Sequence, residues 1–98
     1  MTNLPDLIVT HHRANGRFEA LVDGQRCVLD YRLVGSVAHI HHTEVPAALQ
    51  GRGLAGALVQ QVLAQVRALG WRVRPLCGYV RAYMQRHPES LDLLESPT

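Results

Sequence analysis

Residues 45–59 read VPAALQGRGLAGALV, and the fold turns on how their glycines are framed. Gly51 to Gly56, GRGLAG, fits G-x-G-x-x-G, the fingerprint of a dinucleotide-binding loop. Begun one residue earlier, the same stretch reads Gln50-Gly51-Arg52-Gly53-Leu54-Ala55, a different phosphate-binding loop. Both frames use one physical device. Glycine lets the backbone turn sharply and come close to a ligand. The first N–H groups of the following helix have no internal partner, and they sit at the positive end of the helix dipole. A pyrophosphate suits that place. A third reading gives the glycines no ligand at all, only close packing of a helix on a sheet.

The surrounding chain separates these frames. A dinucleotide loop belongs in a βαβ unit and is followed, about 20 residues on, by an acid. Here no acid occurs between Glu44 and Glu89. The residues before the loop read as antiparallel hairpins. LIVTHH (7–12) leads to Asn15-Gly16, and RFEALV (17–22) to Asp23-Gly24. Both dipeptides supply the positive φ of tight hairpin turns. QRCVLDYRLV (25–34) alternates, with Cys27, Leu29, Tyr31 and Leu33 on one face and Val28, Asp30 and Arg32 on the other. After Gly35-Ser36 a fourth strand, VAHIHHTEV, runs to Pro46.

Beyond the glycines the period changes. Leu54, Leu58, Val62, Val66 and Leu69 recur at spacings of three and four, which predicts an amphipathic helix of about 18 residues. Gly70 stands where a C-cap is expected. WRVRPL (71–76) is a short strand limited by Pro75. GYVRAYMQR (78–86) is a short helix ended by His87-Pro88. The tail after it is expected to fray, with Leu91, Leu93 and Leu94 as its candidates for docking on the core. The class is α+β, in a single domain over residues 1–98: a meander of about four strands, a central helix, a fifth strand and a short C-terminal helix.

Composition narrows the partners. The chain has 98 residues, 47% hydrophobic and 18% charged, with a net charge of +2; this is a globular composition, not a disordered one. All ten basic side chains are arginine, scattered instead of blocked, which reads first as a codon bias. Aromatics make up only 5%, so stacking platforms for nucleic acid are not expected. The start lacks the pattern of a signal peptide, and no stretch reaches the roughly 20 apolar residues of a membrane span. Cys27 and Cys77 form no C-x-x-C pair. A cytoplasmic protein with free thiols, no nucleic-acid or membrane partner, and an oligomeric state that cannot be read is the expectation. Histidines at 11–12 and 41–42 raise a metal site, but adjacent strand residues point to opposite faces, so none is assigned.

Gln50 to Ala55 resembles the Q/R-x-x-G-x-G/A loop of the GNAT superfamily of acyl-CoA-dependent N-acetyltransferases. In that superfamily the loop follows a long antiparallel strand and opens the central helix. Two longer stretches strengthen the resemblance. HHTEVPAALQGRGLAGALV (41–59) is similar to the D-H-T-E-V-P … R-G-x-G … A-L signature of a short single-domain branch, with His41 in place of the aspartate. VRPLCGYVRAYMQRHPE (73–89) resembles the same branch's P-x-C-x-[YF]-V … [RH]-x-P signature. The resemblance covers about residues 18–94.

The resemblance implies a fifth strand splayed parallel to the fourth, with acetyl-CoA (coenzyme A) in the opening. Val45 would lie beside the phosphate loop, and Gln50, Gly51, Arg52, Gly53, Leu54 and Ala55 would cradle the pyrophosphate. Gly56 is left for helix packing. Cys77 would stand across the splay, where in the short branch the cysteine has been proposed to act. A thiolate there can take an acetyl group from a thioester and pass it on, provided that a helix N-terminus, Arg74 or a histidine lowers its pKa. His42 is a candidate general base. Glu44, two residues on and on the same face, would assist it, while His39 and His41 share the opposite face. Tyr79 and Tyr83 share a helix face, and Tyr79 is the candidate acid for the leaving thiolate; packing in the core is the competing reading for both. Cys27 reads as core filling.

Three functions follow as alternatives: an acetyltransferase acting on an unidentified amine, by direct attack or through Cys77; a coenzyme A-binding regulatory or adaptor module with little turnover; and a structural protein on the same scaffold. The tight Asn-Gly connection leaves no room for helices between the first two strands, so the acceptor side is expected to be open and shallow.

Overall fold

The computed structural model describes residues 7–95. Five strands form one sheet in chain order: β1 (Val9–His12), β2 (Arg17–Val22), β3 (Gln25–Val34), β4 (Val37–Glu44) and β5 (Arg72–Pro75). β1 to β4 are antiparallel, as the turn dipeptides predict. The chain then crosses through the helix α1 (Leu54–Ala68), so β5 lies parallel to β4. A second helix, α2 (Gly78–Arg86), follows β5. Both helices bury their apolar residues in one cluster with Phe18, Leu29, Ile40 and Val73 of the sheet. Cys27 is fully buried there.

The turns follow their local chemistry, with one correction. Asp23 (φ 51) and Gly24 (φ 75) form the expected two-residue turn between the paired Val22 and Gln25. Asn15-Gly16 does not form such a turn. Arg13–Asn15 make one 3-10 turn, and the loop between the paired His12 and Arg17 has four residues. Gly16 closes it at φ 64, and a Cβ there would sit on the carbonyl oxygen of Tyr31. β1 also begins at Val9, two residues after the start of LIVTHH, and leaves Ile8 exposed.

α1 spans 15 residues, shorter than the apolar period suggests, because the chain turns at Gly70. The Gly70 N–H donates to the Arg67 carbonyl (3.1 Å) and the Trp71 N–H to that of Val66 (3.1 Å). With Gly70 at φ 76 this is a Schellman closure. The tail does not fray before Glu95. Residues 88–93 form 3-10 turns, Leu93 is buried, and the Glu95 N–H donates to the Val73 carbonyl (3.0 Å). Leu94 bridges to β5, whereas Leu91 stays exposed. Arg67 grips Asp92 with both terminal nitrogens (2.6 and 2.8 Å).

One irregularity governs the site. Tyr31 pairs with Ile40 and Asp30 pairs with His42, so His41 is an extra residue opposite no partner. This is a β-bulge. Simple alternation would group His42 and Glu44 with Ala38 and Ile40, against His39 and His41. The bulge reverses this. Thr43 pairs with Leu29 on the inward face, while His42 and Glu44 pair with Asp30 and Val28 on the outward one, together with His39. His41 and His42 are both exposed, so they do not alternate as a regular strand requires. The physical reason is burial. The bulge keeps the His42 imidazole and the Glu44 carboxylate off the inward face.

Candidate active site

The glycine loop begins after Pro46, where Ala47–Leu49 turn once and the buried Leu49 anchors them. Gly51 (φ 83) and Gly53 (φ 75) both take the left-handed conformation that favours glycine. Gly53 is the N-cap of α1 and no side chain caps it. The first N–H groups of α1 are therefore left for solvent or a ligand. Gln50 stiffens the loop, since its amide donates to the Val45 carbonyl (3.2 Å). Val45, Gln50, Gly51, Gly53, Leu54 and Ala55 border a pocket of about 220 Å³, joined by Leu49, Gly56 and Tyr79. Every residue of the expected cradle except Arg52 thus meets at one place. Arg52 turns away to Asp23 in the β2–β3 turn (2.9 Å), both side chains being largely exposed. Such a pair contributes little to stability, about 0–1 kcal/mol.

β4 and β5 pair from Val37–Arg72 to Ile40–Pro75 and then part. The parting is anchored at one atom. The N–H groups of Leu76 and Cys77 both donate to the Ile40 carbonyl (2.9 Å each). Beyond this point, residues 41–44 have no β5 partner, and Val45, just after β4, and Tyr79 of α2 both border the glycine loop's pocket. Among the described residues, no three His, Cys, Asp or Glu side chains gather as a metal site.

Cys77 stands at the far rim of the opening, half-buried, as the N-cap of α2. Burial alone would push its thiol up, but the backbone N–H of Val80, the Thr43 hydroxyl and the N–H of Tyr79 together bring its pKa below the usual thiol value. Neither α2 N–H completes a cap hydrogen bond with the sulfur. Their effect is that of dipoles aimed at a developing thiolate. Of the two aids expected, the helix N-terminus is present, and among the described residues no cation acts on the sulfur. Arg74 pairs with Glu95 through its Nε (2.7 Å), on the tail side of β5. Cys27 behaves oppositely, with burial pushing its thiol up.

The two tyrosines of α2 divide. Tyr79 is partly exposed and borders the loop pocket. Tyr83 is buried, with its ring stacked on His87 at 4.0 Å. His42 and Glu44 do form a pair, Nε2 to Oε1 at 3.0 Å. They lie on the outward face, and the side chain that meets Cys77 is that of Thr43, 3.6 Å from Sγ to Oγ1. Reading by alternation misses Thr43. The available signal is the pair His41-His42, because two adjacent polar residues in an otherwise alternating strand leave room for a bulge.

With this geometry in view, comparison with known proteins gives a consistent picture. Residues 17–93 match the family model described as GCN5-related N-acetyl-transferase. Protein NATD1 of Mus musculus and that of Gallus gallus are each 34% identical over 83 residues, covering 82% of this chain and 76% of theirs. Protein NATD1 of Xenopus tropicalis is 32% identical over the same length. The solution structure of a GCN5-like protein from Staphylococcus aureus superposes with a TM-score of 0.69 at 20% identity, over 100% of this chain and 94% of that one. At that identity the superposition speaks for the fold.

Proposed function

The chain belongs to the GCN5-related N-acetyltransferase family, and we propose that it moves an acetyl group from acetyl-CoA to an amine, with Cys77 as the first acceptor. One observation carries this reading: the opening between β4 and β5 has an uncapped helix N-terminus on one side and a half-buried thiol at the N-cap of another helix on its far rim. The donor set suits coenzyme A. Amides of the Gly51–Ala55 segment receive the pyrophosphate, and the unpaired edge of β4 beyond Ile40 offers backbone groups to the pantetheine.

The chain's own groups then divide the chemistry. The Cys77 thiolate attacks the thioester carbonyl carbon, the bond from that carbon to the coenzyme A sulfur breaks, and the Tyr79 hydroxyl gives the departing sulfur a proton. The amine next attacks the acetyl carbon on Cys77. The proton lost by its nitrogen passes through water to the Tyr79 phenolate, and Cys77 leaves as thiolate. In direct transfer the amine attacks the thioester itself, with His42 as base and Glu44 behind it.

A second reading has its own support. His42 and Glu44 are largely exposed, and the four-residue β1–β2 loop raises no wall beside them. A coenzyme A-binding module with slow turnover fits such an open side. Intact-protein mass spectrometry after incubation with acetyl-CoA tests the covalent route. We expect one added acetyl group on the wild type and none on Cys77→Ala. Equal spectra from the two refute the thiol as acceptor. Coenzyme A release across an amine panel separates turnover from binding alone.

A further inference from the structure

We propose that Thr43 is the positioning residue of Cys77, its hydroxyl brought across the strand opening by the bulge at His41 to hold the sulfur at the rim. The inference rests on Cys77 being the reactive group, and the test below separates the two.

Three features of the fold converge on this pair. First, the bulge turns Thr43 inward. Without the extra residue, His42 would occupy that place, and the register opposite Leu29 would carry an imidazole. Second, Thr43 breaks an apolar line. The residues of β4 that face the core before it, Ala38 and Ile40, are apolar and buried. An inward hydroxyl is costly unless it is hydrogen-bonded, and the partner it finds is Sγ of Cys77 at 3.6 Å. Third, Cys77 is held from behind. Its N–H and that of Leu76 both end on the Ile40 carbonyl, the last rung before the bulge. The backbone just after β5 and the side chain of Thr43 from β4 therefore fix the sulfur from two directions.

The hydroxyl suits both states of the sulfur. In the thiol state S–H donates to Oγ1. Once the proton has passed to water, the hydroxyl rotates and donates to the thiolate. Among the described residues, no charged side chain shares this task. Arg74 of β5 is held by Glu95, and Arg81 of α2 donates to the Pro75 carbonyl (3.3 Å). His42 and Glu44 of β4 face outward, and Tyr79 of α2 borders the loop pocket. Threonine at this site thus does what a neighbouring cation does at other reactive thiols.

The experiment is the pH–rate profile of iodoacetamide labelling, read at Cys77 by peptide mass spectrometry, with added N-acetylcysteine as the reference thiol, since Cys27 is buried. Thr43→Val keeps the shape and removes the hydroxyl. At neutral pH it should label Cys77 about three- to tenfold more slowly, the factor of one lost hydrogen bond, with its midpoint displaced to higher pH. Thr43→Ser should return the rate to near wild type. Thr43→Ala, smaller and less demanding of space, repeats the test if the valine variant does not fold. A folded Thr43→Val or Thr43→Ala whose profile superposes on the wild type overturns the proposal. So does a Thr43→Ser variant as slow as Thr43→Val. If these profiles shift as stated while the wild type takes up no acetyl group from acetyl-CoA, the covalent reading falls and the role of Thr43 stands.

Discussion

At the scale of single residues, glycine at 53 is fixed by conformation. Its φ of 75 lies in the left-handed region, where a β-branched side chain is strained by about 1–3 kcal/mol. A valine there also projects where the loop must meet phosphate. Folded Gly53→Val should therefore bind acetyl-CoA at least about tenfold more weakly, as expected when charge-assisted backbone hydrogen bonds are displaced. Isothermal calorimetry checks this, and unchanged affinity in the folded variant would remove the loop from the binding site. The loop was legible in the sequence because glycine spacing, the hairpins before it and the lack of an acid after it are all local facts. Arg52 was not. Its neighbours suggest phosphate, but an exposed, flexible side chain goes where the nearest opposite charge is, and the β2–β3 turn brings Asp23 to 2.9 Å.

At the scale of elements, α1 has unlike ends. Its C-terminus is closed by the Gly70 motif, while its N-terminus has no side-chain cap. The first N–H groups of α1 are therefore left for solvent or a ligand, as they are at the start of α2. Gly56 sits in the first turn of this helix, facing α2. A Cβ there would lie 3.5 Å from the Tyr79 hydroxyl and 3.9 Å from Cε2 of Tyr83, which is ordinary contact. Packing therefore does not demand glycine. Gly56→Ala should stabilise the protein by about 0.5–1 kcal/mol, the usual gain in a helix interior, as read from urea unfolding. A loss of stability would show that the two helices approach more closely than this. The same element scale shows where sequence reading stops. Helices and two-residue turns are coded by residues near one another. The bulge at His41 is coded by the pairing of β3 with β4; within β4 the adjacent pair His41-His42 leaves room for it, but only the pairing places it.

At the scale of the whole molecule, one aromatic group ties β1 to the start of β5. His11 of β1 stacks on Phe18 at 4.0 Å, hydrogen-bonds the Tyr31 hydroxyl at 2.7 Å and meets the edge of Trp71, the residue before β5. Burial, then the charges of Arg13 and His12, lowers the pKa of His11. A base with a lowered folded pKa is protonated more readily in the unfolded chain. Its contribution to stability is thus present above the ordinary histidine value of 6.5 and is lost as pH falls below it, through the folded pKa. Urea midpoints at pH 7.5 and 5.5 should fall more for the wild type than for His11→Phe. An equal fall would show that this histidine does not carry the acid sensitivity.

The molecule's overall form also bears on its acceptor. Residues 13–16 join β1 to β2 directly, so no described helix stands over the face that carries His42 and Glu44. The sequence announced a short connection there, though not its 3-10 form, because Gly16 answers to the Tyr31 carbonyl on β3, the strand paired with β2. A walled pocket discriminates one methylene by about 10- to 200-fold. A face without walls touches little of an acceptor beyond its amine. Across primary amines of similar basicity and increasing bulk, kcat/KM should therefore vary by less than about tenfold, the lower edge of that discrimination. Coenzyme A release measures it. A steep decline with bulk would mean that a wall is supplied from outside residues 7–95, by a second subunit or a partner, and that the shallow face is not the working acceptor site.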